Sequence, residues 1–516
     1  MRVAGLKPLF INVFVFYLLS TAVLAQSNTD RLYQLIDAGK QEIYNFQLDS
    51  ALTIFREIQH EFPEYPHGYF YEAYITAIYF SQDRANPALD SLLNETVKRA
   101  AEKGEEYKKR TDNSADALYY LGASYGVLGI YHVLNRNYLK GYIYGKRGKD
   151  YLEKVVETDS TYYDAYVGLG VFHYYVDLLP GIVKFFAKIL GFQGDREKGI
   201  REMLLTANRG RFFKVEARFV YATFRYFLEG DERNSLQTFF KLHRDYPDNP
   251  ALTLLLGYHY RRNGNILEAL RYFNAVPGKY SLTLPQISIM KFYNLGVCYF
   301  RLNNFPESEK YFNLLMDTSL RKSRYYVAAL AFYKGLLSDM KGEHNAADRY
   351  YNMVVDNRET QYWYNTSRIY VKYDFDSLMR HYVIAENDIF TLNIPAAEKE
   401  IGNLRNILET NSGAAHNPYL IYLVQDLQGI LYLQKGEVRE SLEIYENLMA
   451  NIGKINDDFQ RAWVYIHYAR VLRETEEFQK ANEALEKASS CDDEYTKIIL
   501  EREKYIVNHR KKQSKT

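Results

Sequence analysis

Gly141-Tyr142-Ile143-Tyr144-Gly145-Lys146 is the stretch that comes nearest to a phosphate-binding loop, where glycine amides and a lysine ammonium surround a phosphate. The spacing is one residue short, and Arg147 stands where a Ser or Thr would hold the metal ion. Gly141, Gly145 and Gly148 fit better as a helix face that lets another backbone come close. His60 and His67 flank Pro63 and Pro66 in an expected loop, without the spacing of a zinc or calcium site. No GxSxG elbow is present, and neither Cys298 nor Cys491 has a motif-placed histidine. The chain is therefore read as non-catalytic, with no cofactor and no metal. Both cysteines are expected to be small packing residues, several structural units apart.

Charge and targeting narrow the function further. Lys and Arg total 65 against 64 Asp and Glu, so no global field gathers nucleic acid or an anionic membrane, and no nucleic-acid partner is expected. Residues 1–25 read as a secretory signal: Arg2 and Lys7 precede an apolar run from Leu9 to Leu19, and Val23-Leu24-Ala25 offers small residues before Gln26. No Cys follows to take a lipid anchor. The expectation is an exported, periplasmic protein, with outer-membrane association open. A basic tail occupies 509–516 and reads as a solvated terminus. Ile182 to Phe192 is too short to cross a bilayer; with Lys184 and Lys188 on one strip, it is expected to dock in the protein as an inserted helix within 180–197. Membrane contact, if any, would be confined to 182–192.

The elements that carry these residues announce themselves through a spacing that recurs. A glycine is followed twelve residues later by a small residue and four further on by an aromatic: Gly257, Ala269, Phe273; Gly296, Ser308, Phe312; Gly335, Ala347, Tyr351; Gly429, Ser441, Tyr445. A period of this size marks stacked helical hairpins that bury their apolar faces only against neighbours. Within Ala251 to Val276, Leu252, Leu256 and Tyr260 share one helical face, Asn263-Gly264-Asn265 turns the chain, and Ile266, Ala269, Leu270 and Phe273 share the next face. The small residues are expected at close helix crossings, and the aromatics between successive hairpins. The predicted organisation is a leader at 1–25, an array over 27–250, regular repeats over 251–356, an irregular helical segment over 357–418 and further repeats over 419–508.

This register resembles the tetratricopeptide repeat. Leu256-Gly257, Tyr260, Gly264, Ala269 and Phe273 follow its pattern, and Gly39, Ala51, Phe55 and Pro63, or Tyr465, Ala469, Ala481, Leu485 and Ala488, follow it in part. The resemblance implies an all-α, right-handed superhelical solenoid of about eight to ten helical pairs. More locally, Leu178-Leu179-Pro180-Gly181, Ile189-Leu190-Gly191-Phe192, Gly199 and Glu216-Ala217-Arg218 look like a segment of the tetratricopeptide 39 family of eukaryotes, linked to mitochondrial outer membranes and inclusion clearance, and like exported bacterial relatives.

The tetratricopeptide resemblance also implies that the first helix of each pair lines a concave face, which here places Tyr258, Arg261, Arg262, Tyr293, Phe300, Arg301, Arg470 and Arg473 as candidate partner-binding residues. Arginines there pair with carboxylates and aromatics act as anchors. The expected role is a scaffold that binds a protein or peptide in cell-envelope assembly or maintenance. The family's clamp of Lys and Asn for a chaperone C-terminus is not reproduced. The alternative is a glycan-binding helical-repeat protein of a polysaccharide-uptake system, consistent with 50 tyrosines against two tryptophans.

Overall fold

The computed structural model describes residues 29–514, except 85, 136, 178–193, 279–283, 318–319, 321, 373–376, 411–417 and 492. The expected leader with its expected cleavage site, the apolar stretch 182–192 and the loop expected around Asn411 to Asn417 lie outside the described residues. Among those described, the chain is helical, with no strand.

Antiparallel hairpins follow one another along the chain. The first pairs 29–44 with Leu48–Glu61, followed by His67–Gln82 with Pro87–Arg110, Ala115–Leu134 with Tyr138–Thr158, Ala165–Asp177 with Arg196–Arg209 and Lys214–Leu228 with Glu232–Asp245. Then come Pro250–Arg262 with Ile266–Ala275, Pro285–Arg301 with Phe305–Asp317, and Arg324–Met340 with His344–Asn352. After a single helix, Gln361–Lys372, the hairpins resume as Ser377–Phe390 with Ile394–Thr410, Pro418–Lys435 with Val438–Asn451 and Asp458–Glu474 with Phe478–Ala488, and a last helix covers Glu494–Gln513. That makes eleven hairpins among the described residues, above the eight to ten expected. The extra count comes partly from 377–410, a regular hairpin inside the stretch expected to be irregular.

The hairpins that contain Gly39, Gly257, Gly296, Gly335 and Gly429 share a register of four positions, and the structure shows what each position does. A side chain at Gly257 would meet the Phe273 ring, its nearest atom 2.7 Å from the added carbon, and Gly429 stands in the same relation to Tyr445 at 2.6 Å and Gly39 to Phe55 at 2.5 Å. The aromatic thus covers the glycine of its own hairpin and, as expected, also packs on the next one: Phe55 stacks on Tyr71 and Phe312 on Tyr333, with ring centroids 4.6 and 5.2 Å apart. At the twelfth position the helices touch closely enough for Ser308 and Ser441 to donate to the carbonyls of Gly296 and Gly429, each at 2.8 Å. Seven residues after the glycine the chain turns with a positive φ, at Gly264 (77°) and Gly436 (78°). Asn303 (58°) adopts the same conformation without the glycine that suits it.

The hairpin 377–410 escaped detection because it uses the register with other residues. Ala385 replaces the glycine, Leu392 turns with φ 58°, Ala397 takes the twelfth position and Ile401 replaces the ring. Ala469, Glu476, Ala481 and Leu485 repeat the arrangement. A methyl added on one helix is matched by a smaller side chain on the other, so the volume between the helices is conserved.

The chain divides into two compact units, one comprising Met1–Tyr221 with Lys241–Asn249 and the other Ala222–Phe240 with Pro250–Thr516. In the first unit, Ala115–Leu134 and Tyr138–Thr158 meet backbone to backbone: a side chain at Gly129 would stand 2.9 Å from the Gly145 nitrogen, and one at Gly148 would stand 2.9 Å from the Gly126 nitrogen. The glycines that resembled a phosphate loop are therefore packing positions. Gly170 and Gly199 do the same for the next hairpin, each facing the other's carbonyl oxygen. Both cysteines are buried thiols, pushed up to about 12 chiefly by burial.

Candidate functional site

In the second unit, first helices place arginines at a repeated offset. Arg262 and Arg301 each stand five residues after the register glycine, and Arg261 precedes Arg262. Arg261 and Arg301 both act electrostatically on the buried Tyr333, so consecutive hairpins bring them to one neighbourhood. Arg261 stacks over Tyr258, with 5.2 Å from guanidinium carbon to ring centroid, and its Nε has no hydrogen-bond partner among the described residues. Arg301 donates to Asn387 Oδ1 at 3.0 Å, lies 3.4 Å from Glu386 and sits over Phe390.

Four more arginine contacts involve two carboxylates. Arg502 Nη2 donates to Glu232 Oε1 at 2.8 Å, and Arg262 lies 3.5 Å from the same oxygen. Arg470 Nε donates to Glu503 Oε1 at 2.9 Å and Arg473 Nη1 to Glu503 Oε2 at 2.7 Å. Burial pulls the Arg502 guanidinium below its ordinary range, and the positive charge of Arg262 adds to that. Burial opposes ionisation of Glu503, yet Arg470 and Arg473 outweigh it and hold the carboxyl below the usual value.

Arg470 and Arg473 also line a cavity of about 440 Å³ between the hairpins 418–451 and 458–488. Ile430, Leu433 and Val438 make its apolar wall, and His467, Gln434 and Glu474 complete the polar side. Asp426 holds the rim in place: it accepts from Tyr445 Oη at 2.9 Å and lies 3.0 Å from His467 Nδ1. An arginine-bearing polar rim beside an aliphatic wall suits a peptide segment that presents a carboxylate next to an apolar residue.

Two of the expected binding residues belong elsewhere. Phe300 is 2% exposed and packs edge-on against Phe305 and Tyr333, and Tyr293 is 8% exposed beside Tyr326. They hold hairpins together and have no surface to offer, because their side of the helix faces the next hairpin. The segment 509–513, expected as a solvated tail, continues the last helix, and Arg510 donates to Glu474 at 2.8 Å.

Sequence reasoning also missed a polar centre in the first unit. Lys40 is 3% exposed and pairs with Glu216, which accepts from Tyr44 Oη at 2.9 Å as well. The Lys40 ammonium lies 4.0 Å from the Phe213 ring centroid. Asp164 fixes the neighbouring backbone by accepting from Phe212 N at 2.9 Å and Phe213 N at 3.0 Å. Nothing in a single sequence pairs residues 40 and 216. The one signal was that Glu216 fell in the segment singled out by family resemblance.

Residues 160–360 match the family described as Iml2/Tetratricopeptide repeat protein 39. No curated protein matches. Among solved structures, the chain is similar to a tetratricopeptide repeat protein from Parabacteroides merdae ATCC 43184, at 16% identity over 56% of this chain and 98% of that one, with a TM-score of 0.25. It is also similar to yeast Tom70, at 11% identity over 94% and 97% of the two chains and a TM-score of 0.30. The chain of the APC/C hetero-tetramer Cut9-Hcn1 is 12% identical over 91% and 88%, with a TM-score of 0.25. The match covers the segment 160–360, and the same glycine-and-aromatic register recurs in hairpins on either side of it, at Gly39 with Phe55 and at Gly429 with Tyr445.

Proposed function

We propose that the protein is an exported, non-catalytic scaffold that binds a protein or peptide segment on the second unit, in cell-envelope assembly or maintenance. The observation that carries this reading is the cavity beside Arg470 and Arg473, where cationic groups and the aliphatic residues Ile430, Leu433 and Val438 face one space. An arginine fork recognises a carboxylate with defined geometry, and the apolar wall supplies the contact area that a bare charge pair lacks. The aromatic wealth behind the glycan alternative lends it little support, since Tyr71, Tyr120, Tyr174, Tyr226, Tyr351 and Tyr445 are consumed in packing.

A photo-crosslinking residue at Gln434 of the full-length protein tests the site in cells. A discrete protein adduct is expected, and it should vanish when Leu433→Arg fills the cavity. An adduct that is unaffected by the filling, or none at all, would refute the assignment. Export rests on the leader pattern of residues 1–25, and mass spectrometry of envelope fractions should find an N-terminus at or near Gln26.

A further inference from the structure

A helix that closes a repeat array packs on the hairpin before it. Glu494–Gln513 does this through Glu503, held by Arg470 and Arg473. The same helix also touches parts of the second unit that are remote in sequence. Tyr495 packs on Tyr362 with ring centroids 4.6 Å apart, and Glu494 pairs with Arg358. Further along, Arg502 donates to Glu232, and Ile506 Cδ1 lies 2.7 Å from where a side-chain carbon at Gly230 would stand. One helix therefore joins 230–232, 358–362 and 470–473, and these are the surroundings of the arginines at which a partner is expected.

What holds this helix is partly polar. Its buried residues are Thr496, Leu500, Glu503 and Val507, one of them a carboxylate, and Tyr495, Arg502 and Ile506 make a second, more exposed row of contacts beside them. As the last element of the array, with a carboxylate in its buried row and ion pairs among its outer contacts, it opens at lower free energy than the hairpins around it.

We propose that this face of the second unit is a receptor for an amphipathic helix, with Glu494–Gln513 as its resident occupant. The partner it fits is a helix of the same pattern, with an aromatic residue, a carboxylate eight positions later and an aliphatic residue three beyond that, as in Tyr495, Glu503 and Ile506. This rests on the reading of the arginine-lined face as a binding surface. When Glu503 withdraws, Arg470 loses its carboxylate and Arg473 keeps only Glu474, and an incoming carboxylate in the place of Glu503 engages both. Because the resident helix is tethered, its effective concentration is in the millimolar range, and a free helix competes only when docking is weakened.

The test uses the full-length protein and a fluorescent synthetic peptide of residues 494–513. Amide exchange in the wild type should be at least about tenfold faster over 494–513 than over 458–474. The peptide should bind the Ile506→Asp variant about tenfold or more tighter than the wild type, and a peptide carrying Glu503→Gln should lose that gain. Tyr495→Ala serves as the second variant if Ile506→Asp does not fold. Equal exchange in the two segments, or no peptide binding by a folded variant, would overturn the proposal and make the helix a fixed part of the core. The Gln434 adduct separates this from the function itself. A partner captured equally by wild type and variants leaves the scaffold reading intact and removes the resident helix as occupant, whereas peptide binding without any adduct leaves the helix receptor and removes the proposed function.

Discussion

At the scale of the residue, the glycine and the aromatic of each hairpin behave as one unit. Gly296→Ala places a methyl against the Phe312 ring, whose buried position leaves it nowhere to go, and should cost about 1–3 kcal/mol in urea unfolding. Adding Phe312→Leu should recover part of that loss, because the chain already uses Ala469 with Leu485 at the same two positions. A coupling of about 1 kcal/mol between the two changes is expected from a double-mutant cycle, and strict additivity would show that the pair is not the packing unit. The same register explains which repeats were visible. Those with Gly and a ring stood out by spacing, while Ala385 with Ile401 kept the volume and lost the signature.

At the scale of the element, the first unit depends on a contact that ties 29–44 to Lys214–Leu228. Lys40→Met leaves the half-buried Glu216 carboxyl with only the Tyr44 hydroxyl to hold it, and should cost about 3 kcal/mol. The double change Lys40→Met with Glu216→Leu should restore most of the loss, since a buried ion pair replaced by apolar groups of similar size is close to neutral. Chemical unfolding midpoints of the two variants check this, and a double variant as unstable as the single one would place the damage in shape instead of charge. Helix ends follow local rules more simply. Asn265, Asp457 and Asp493 cap their helices by accepting from the backbone of Glu268, Gln460 and Thr496, at 3.3, 3.0 and 2.8 Å.

At the scale of the whole molecule, stability should depend on pH in a defined window. Burial pushes the His67 imidazole below its ordinary value, against the opposing pull of Asp116, and burial shifts His132 and His259 in the same direction. The unfolded chain then binds these protons more readily than the folded one, so the stability is present above the ordinary histidine value of about 6.5 and is lost as the pH falls below it, down to the depressed folded values. Melting temperatures should drop between about pH 7.5 and pH 5, and His67→Gln should flatten that slope. A slope of equal size in the variant would assign the loss to other groups.

The sequence by itself determined the hairpin and its repetition, because the chemistry that makes them is short in range. A small residue, a turn seven positions on, and an aromatic over the first helix all lie within one hairpin, so spacing alone reveals them. It also placed Arg261, Arg262, Arg301, Arg470 and Arg473 on the first helices of their pairs. Only the tertiary structure decided what those arginines meet. Glu503 on Arg470 and Arg473, Glu232 on Arg262 and Arg502, and Glu216 on Lys40 each join positions separated by many residues, or by the curvature of stacked hairpins, and no periodicity encodes them. The burial of Tyr293 and Phe300 was settled the same way, since the side of a helix that faces the next hairpin is fixed by packing across that interface, where Tyr326 and Tyr333 meet them.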